Sequence, residues 1–324
     1  MPMRCQAPGV LLLFAAALPA SAQRIPAIDS AIRAGIHTGI YPGAVVVVGR
    51  ADTILYSRGY GHFTWDSRSD VPDPQTTRWD LASLTKVVAT TSAIAVLVQH
   101  HKVDLDAPVA RYLPAFHGGR KDQVTVRMLL NHTSGMPPYE KFWQTAHSPD
   151  QARQELLATP LARQPGQSAV YSDLNGMLAG LVVEHTSGLP LDAFVTTAVF
   201  RPLGMLDTRY RVPAADRATA APTGRFHGVP VAGQVNDQNA VVFGGISGHA
   251  GLFSTGLDLA RFAQGWLRAA AGKGNWLHRG TVEDFFVHTP ASGTRVLGWD
   301  TPIPPGSGKL SLYGKCSTES TYGH

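Results

Sequence analysis

Two cysteines in 324 residues, Cys5 and Cys316, leave this chain almost no means of cross-linking itself. Cys5 falls inside a segment with the marks of an export signal: Arg4 supplies positive charge, Gly9 to Leu18 is apolar, and Ala20-Ser21-Ala22 precedes Gln23 as a small-residue cleavage pattern. Cleavage near Ala22 would leave Cys316 alone, so no intrachain disulfide is expected and the core must hold the fold. The apolar run is too short to span a bilayer and no second run follows, so a secreted or periplasmic protein without a stable membrane anchor is expected. No cysteine lies just after the run to carry a lipid; Cys5 lies before it.

Charge is scarce too. Charged residues make up 16% of the chain, and 28 Lys and Arg against 23 Asp and Glu give a formal +5 without clustering. Loss of Arg4 would reduce it to +4. A nucleic-acid binder needs a basic stripe, and none is present. Thirteen histidines occur without His-Glu-x-x-His or another tight ligand spacing, so neither metal nor cofactor is expected. Gly306-Ser307-Gly308-Lys309 lacks phosphate-loop spacing and reads as a turn. Gly245-Ile246-Ser247-Gly248-His249 lacks the last Gly of the Gly-x-Ser-x-Gly hydrolase elbow.

About 300 residues after cleavage suffice for one large domain with an insertion. Residues 26 to 36 carry a helical pattern, followed by a Val-rich strand from Ala44 to Gly49, a turn at Ala51-Asp52 and a second strand from Thr53 to Tyr60. That order predicts an antiparallel sheet with helical cover. Leu84 to Gln99 is apolar on nearly all sides and free of Gly and Pro, which predicts a central buried helix with Ser83 at its start. Residues 104 to 200 give helix and loop signals broken by prolines, the expected helical subdomain. A helix is predicted from Leu174 to Thr186, stopping at Gly188, and another from Leu259 to Leu267, with Thr255 and Asp258 as a capping box. Ala218 to Gly251, rich in Gly and small residues, is expected to be a long ordered loop region bordering a site. The fold class is thus mixed α/β (α+β): an antiparallel sheet flanked by helices, into which a mostly helical subdomain, about 101–240, is inserted.

Ser83-Leu84-Thr85-Lys86 places a hydroxyl and an amine one helical turn apart on one face. A serine needs a base before it is a useful nucleophile, and a lysine can serve once burial or neighbouring cations lower its pKa. Taken alone the tetrapeptide is common, and a capping serine beside a solvated lysine is its more ordinary reading; its place at the mouth of a very apolar helix favours the functional one. Tyr171-Ser172-Asp173-Leu174-Asn175 opens the second helix. Tyr171 near a lysine could exchange a proton with a leaving group, while Asp173 or Asn175 could orient a substrate amide or the lysine; packing and capping roles fit these residues as well.

Four segments in order, Ser83-Leu84-Thr85-Lys86, Leu130-Asn131-His132-Thr133-Ser134-Gly135-Met136-Pro137, Pro165-Gly166 with Tyr171-Ser172-Asp173, and Gly248 to Thr255, resemble the beta-lactamase-related serine hydrolases from about Ala27 onward. That group includes class C beta-lactamases, low-molecular-weight penicillin-binding proteins, D-alanyl-D-alanine carboxypeptidases and esterases. The resemblance implies a beta-lactamase/transpeptidase-like fold, Ser83 as acylated nucleophile, Lys86 as base or as the group that keeps Tyr171 ionised, and Tyr171 as proton shuttle. Class C enzymes carry Asn where this chain has Asp173, which turns the expectation from beta-lactam hydrolysis towards carboxypeptidase or esterase chemistry. The implied partners are a peptidoglycan peptide, a beta-lactam or an ester, and a monomer is expected. His132 is expected to be structural.

The family also needs a Lys- or His-led triplet ending in Gly on an inner strand. No Lys-Thr-Gly or Lys-Ser-Gly occurs. His249-Ala250-Gly251 fits the letters but is expected to lead into a capped helix rather than a strand. Ser320-Thr321-Tyr322-Gly323-His324 is similar to the approach to a family His-Thr-Gly, which makes His324 the better candidate. On that resemblance the chain is expected to be incomplete at its C-terminus and impaired in catalysis, or to survive as a penicillin-binding or wall-binding relic.

Overall fold

In a computed structural model, residues 25–226, 229–302, 317–318 and 320–324 are described. The export-signal segment, both cysteines and the Gly306–Lys309 turn lie outside them.

Helix α1 (Pro26–His37) starts on a proline at its first turn, where the missing N–H costs nothing. Strands β1 (Gly43–Gly49) and β2 (Ile54–Gly61) then form the predicted antiparallel hairpin, with Val46 opposite Arg58. Asp29 of α1 ties itself to the hairpin by accepting from Tyr56, Tyr60 and Arg58 of β2. Strand β3 (Trp79–Asp80) leads to the central helix, which begins as a π-turn over Lys86–Thr91 and continues as α2 (Ser92–Gln99). Lys86 to Leu97 is buried throughout, as its unbroken apolarity required.

Next come α3 (Val126–Leu130), α4 (Phe142–Thr145), α5 (Pro149–Ala158), α6 (Asp173–Ser187), α7 (Leu191–Val195) and α8 (Arg201–Leu203). Helix α6 ends where predicted, on Gly188 at φ 70°, a left-handed conformation that glycine adopts without penalty. Strand β4 (Arg209–Tyr210), the hairpin of β5 (Pro222–Phe226) and β6 (Val229–Ala232), helix α9 (Gln238–Val242), strand β7 (Leu252–Ser254) and helices α10 (Gly256–Ala270) and α11 (Arg279–Phe285) complete the described chain.

The fold is mixed helix and sheet, as expected, but among the described residues the strands form three small antiparallel ladders: β1-β2, β3-β7-β4 and β5-β6. Two local expectations change. Part of Ala218–Gly251 is the β5–β6 hairpin rather than loop, because Pro222, Gly224 and Pro230 break the alternation that would have announced strands. The capping box at α10 is half made: Thr255 Oγ1 accepts from the Asp258 N–H at 3.2 Å, but the Asp258 carboxylate turns to Thr208, the Asp207 N–H and Arg261. Trp266 of α10 anchors an aromatic cluster with Phe262, Trp276, Phe285, Phe286 and Trp299.

Candidate active site

The short strand β3 ends in a tight turn that delivers Ser83 to the start of the central helix. Asp80 accepts the Ala82 N–H through Oδ1 at 2.9 Å and the Asn236 N–H through Oδ2 at 2.9 Å, while the Leu81 N–H bonds the Leu252 carbonyl of β7. Ala82 is held at φ 45°, an uncommon conformation for a residue with a Cβ, and these anchors offset its cost of about 1–3 kcal/mol. Burial raises the Asp80 carboxyl above its ordinary range, with the two N–H bonds opposing.

One π-helical turn begins at Lys86, and π-turns are often found at functional positions. Lys86 is 5% exposed. Its Nζ donates to Ser83 Oγ at 3.0 Å, Asp173 Oδ1 at 2.7 Å and the His249 carbonyl at 3.2 Å. Three acceptors for three N–H groups is the full inventory of an ammonium. Nζ also lies 4.9 Å from the centre of the Tyr171 ring, and the Arg295 guanidinium carbon lies 5.4 Å from the same ring. The Ser83–Lys86 pair and Tyr171 therefore meet from segments far apart in sequence.

Asp173, the first residue of α6, orients the lysine. Asn175 does not share that position and does not reach outward to a substrate. It is 1% exposed, and its amide is taken up by Ser134 Oγ at 2.6 Å and His132 Nδ1 at 3.1 Å. Two residues beyond Asp173 it faces the loop of His132 and Ser134, so its role is to hold that loop.

His132 Nδ1 also accepts the Ser172 N–H at 3.2 Å. A nitrogen that accepts a backbone N–H carries no proton, which makes the ring neutral with its hydrogen on Nε2. Burial, followed by the charges of Arg295, Lys86 and His324, lowers its pKa well below 6.5. The ring lies 4.7 Å from that of Tyr171, so this structural histidine supports the tyrosine.

His324 reaches the site. Asp300 and Gly323 exchange backbone hydrogen bonds at 2.8 and 2.9 Å, Tyr322 packs on Phe286 and Trp299, and the His324 ring comes 6.2 Å from that of Tyr171. Desolvation and then the charges of Lys86 and Arg295 bring its pKa from 6.5 to about 4. The residue as a whole stays exposed.

His249 occupies another place than the triplet pattern implied. A three-residue strand, β7, does follow it, before α10. The residue, however, is 1% exposed and its ring is taken up on both sides, with Nδ1 2.8 Å from Ser247 Oγ and Nε2 2.9 Å from Asp237 Oδ1. Burial alone would raise the Asp237 carboxyl; the His249 hydrogen bond and charge, the Ala240 N–H and Lys86 together bring it below its ordinary value. Asp173, Asp237 and His249 place one donor atom each within 4.8 Å of one another, the spacing of a cation site. The Lys86 ammonium already sits on Asp173, and His249 Nε2 is engaged by Asp237. Asp237, Arg295 and the His249 side chain were not marked as functional by the sequence, since an isolated Asp or Arg in a loop carries no spacing signal.

This architecture is shared with solved acyl-transfer proteins. The chain is 19% identical to a beta-lactamase/D-alanine carboxypeptidase from Pseudomonas syringae, covering 86% of this chain and 76% of that one with a TM-score of 0.69. It is 21% identical to a hydrolase with promiscuous acyltransferase activity, covering 84% and 80% with a TM-score of 0.66. At these identities the likeness establishes the beta-lactamase/transpeptidase fold. Residues 28–324 match the Beta-lactamase family, and the chain belongs to that family of serine hydrolases. In sequence it is 30% identical, over 93% of this chain and 77% of the relative, to a Salmonella enteritidis PT4 protein named "Putative D-alanyl-D-alanine carboxypeptidase".

Proposed function

We propose that this protein is an exported serine hydrolase of the carboxypeptidase or beta-lactamase type, with Ser83 as the acylated nucleophile. The observation that carries this reading is the three-way engagement of Lys86 with Ser83, Asp173 and the His249 carbonyl. Ser83 Oγ attacks a carbonyl carbon, its proton passes to the Tyr171 oxygen beside the Lys86 cation, and Tyr171 hands that proton to the departing amine or alkoxide. Water then repeats the attack on the acyl-enzyme and frees Ser83. Lys86, with all three protons matched to acceptors, serves as a standing cation beside Tyr171, and His324 lines the same site.

A peptidoglycan-type peptide ending in D-alanyl-D-alanine is the favoured substrate, supported by the names of the relatives above. A carboxylic ester is the second reading, favoured by the Asp173 carboxylate on Lys86 where class C enzymes have the neutral Asn. Export with cleavage after Ala22 rests on the composition of the first 22 residues, and a monomer is proposed.

The test is incubation with a fluorescent penicillin, a D-alanyl-D-alanine peptide and a nitrophenyl ester, followed by mass spectrometry of the intact protein. An adduct on Ser83 that disappears in Ser83→Ala is expected, with release of D-alanine from the peptide. Adduct formation that persists in Ser83→Ala would overturn the assignment. Ester turnover without penicillin labelling would replace the first substrate by the second.

A further inference from the structure

The loop from Ser247 to His249 presents three successive carbonyls, each taken by a different side chain: Ser247 by Tyr210 at 3.1 Å, Gly248 by Thr90 at 2.7 Å and His249 by Lys86 at 3.2 Å. Only the last touches the reacting pair. What fixes that carbonyl is the side chain of the same residue. The His249 imidazole is clamped at both ends, by Ser247 Oγ and by Asp237 Oδ1, inside the protein. Asp237 is itself anchored as the N-cap of α9, accepting the Ala240 N–H at 2.7 Å, and its neighbour Asn236 bonds Asp80 of the Ser83 turn.

We propose that Asp237, His249 and Ser247 form a positioning chain that aims the Lys86 ammonium at Ser83. The chain does not touch the substrate. Ser247 is 3% exposed and cannot act as a nucleophile, although Asp, His and Ser make a linear series. Because Asp80 joins the Ser83 turn to the Asn236–Asp237 segment, one hydrogen-bonded frame holds both members of the pair. The charged groups facing the His249 ring are Asp237, bonded to Nε2, and Asp173, whose carboxylate comes within 4.8 Å of a ring nitrogen; Lys86 meets the carbonyl of the same residue.

This inference rests on reading Ser83 and Lys86 as the reacting pair, so its experiment has an arm that needs no turnover. Competitive acetylation with trace acetic anhydride, read by mass spectrometry, compares Lys86 with the exposed Lys102 in the same sample. Release of the residue-249 carbonyl, which His249→Ala keeps but no longer holds in place, is expected to raise Lys86 acetylation about tenfold, and Asp237→Ala to do the same. Asp237→Asn keeps an acceptor oxygen for Ala240 and His249 and is expected to restore protection. In the second arm, the penicillin acylation rate falls about 100-fold in His249→Ala with little change in penicillin affinity, as expected when a reacting group is misplaced by an ångström. The His249→Ala/Asp237→Ala double variant loses no more than the worse single variant, because the residues act as one unit.

Ser247→Ala, which removes one hydroxyl only, serves if His249→Ala does not fold, and is expected to raise Lys86 acetylation in the same direction. Folded variants with parental Lys86 protection, or losses that multiply in the double variant, would overturn the proposal. Absence of penicillin or ester reaction in the parent removes the functional reading and leaves the acetylation result to decide the positioning chain.

Discussion

The Lys86–Asp173 pair is where one side chain decides most. A lysine 5% exposed has given up most of its hydration, and a carboxylate 2.7 Å away compensates that loss. Asp173→Ala strands that charge and is expected to cost about 3 kcal/mol, measured by urea unfolding. Asp173→Asn keeps an acceptor oxygen and is expected to cost about 1 kcal/mol. Equal stability of the two variants would show that the carboxylate charge is immaterial. Ser83, Lys86, Tyr171 and Asp173 were legible because short-range spacing and the order of motifs both pointed to them. Asn175 was misplaced because its position two residues after Asp173 says nothing about which side of the helix start faces the groove. Arg295 and Asp237 reach the site through tertiary packing alone, which leaves no local mark.

At the scale of elements, the meeting of α6 with the loop before β7 depends on three glycines. Gly176 and Gly180 of α6 face Gly248, so backbone lies against backbone. A Cβ at Gly248 would overlap the Gly176 carbonyl and stand 2.9 Å from Gly180 Cα; one at Gly180 would stand 2.9 Å from Gly248 Cα. This approach lets the His249 carbonyl reach Lys86, so packing and chemistry share one constraint. Gly180→Ala is expected to lower stability by about 2–3 kcal/mol, and Gly248→Ala by more, since its Cβ would meet the Gly176 carbonyl oxygen as well as the Gly180 backbone. Thermal melts of the two variants check the order. The helices were readable from period and stop signals, and the first hairpin from its valines. The π-turn at Lys86 was not, because one extra residue per turn leaves an all-apolar helix looking the same in sequence.

For the molecule as a whole, the buried histidine sets an acid limit on stability. In the unfolded chain His132 takes up a proton near 6.5, whereas in the native protein its Nδ1 is committed to the Ser172 N–H and its surroundings disfavour charge. Below 6.5 the unfolded state therefore binds more protons, and each pH unit removes about 1.4 kcal/mol of stability until the native group titrates. His324, brought down to about 4, works in the same direction between 6.5 and 4. Asp80 opposes them, because its raised carboxyl takes up a proton in the native protein before the unfolded one does, above 3.8. Asp29, Asp106 and Asp237, all lowered, add their losses only at about 3.8 and below. The expected outcome is a urea midpoint that is flat above pH 7 and falls steadily from pH 6.5 to 5. His132→Asn, unable to take up a proton in either state, should start lower but lose less over that interval. An unchanged slope in this variant would place the acid sensitivity elsewhere.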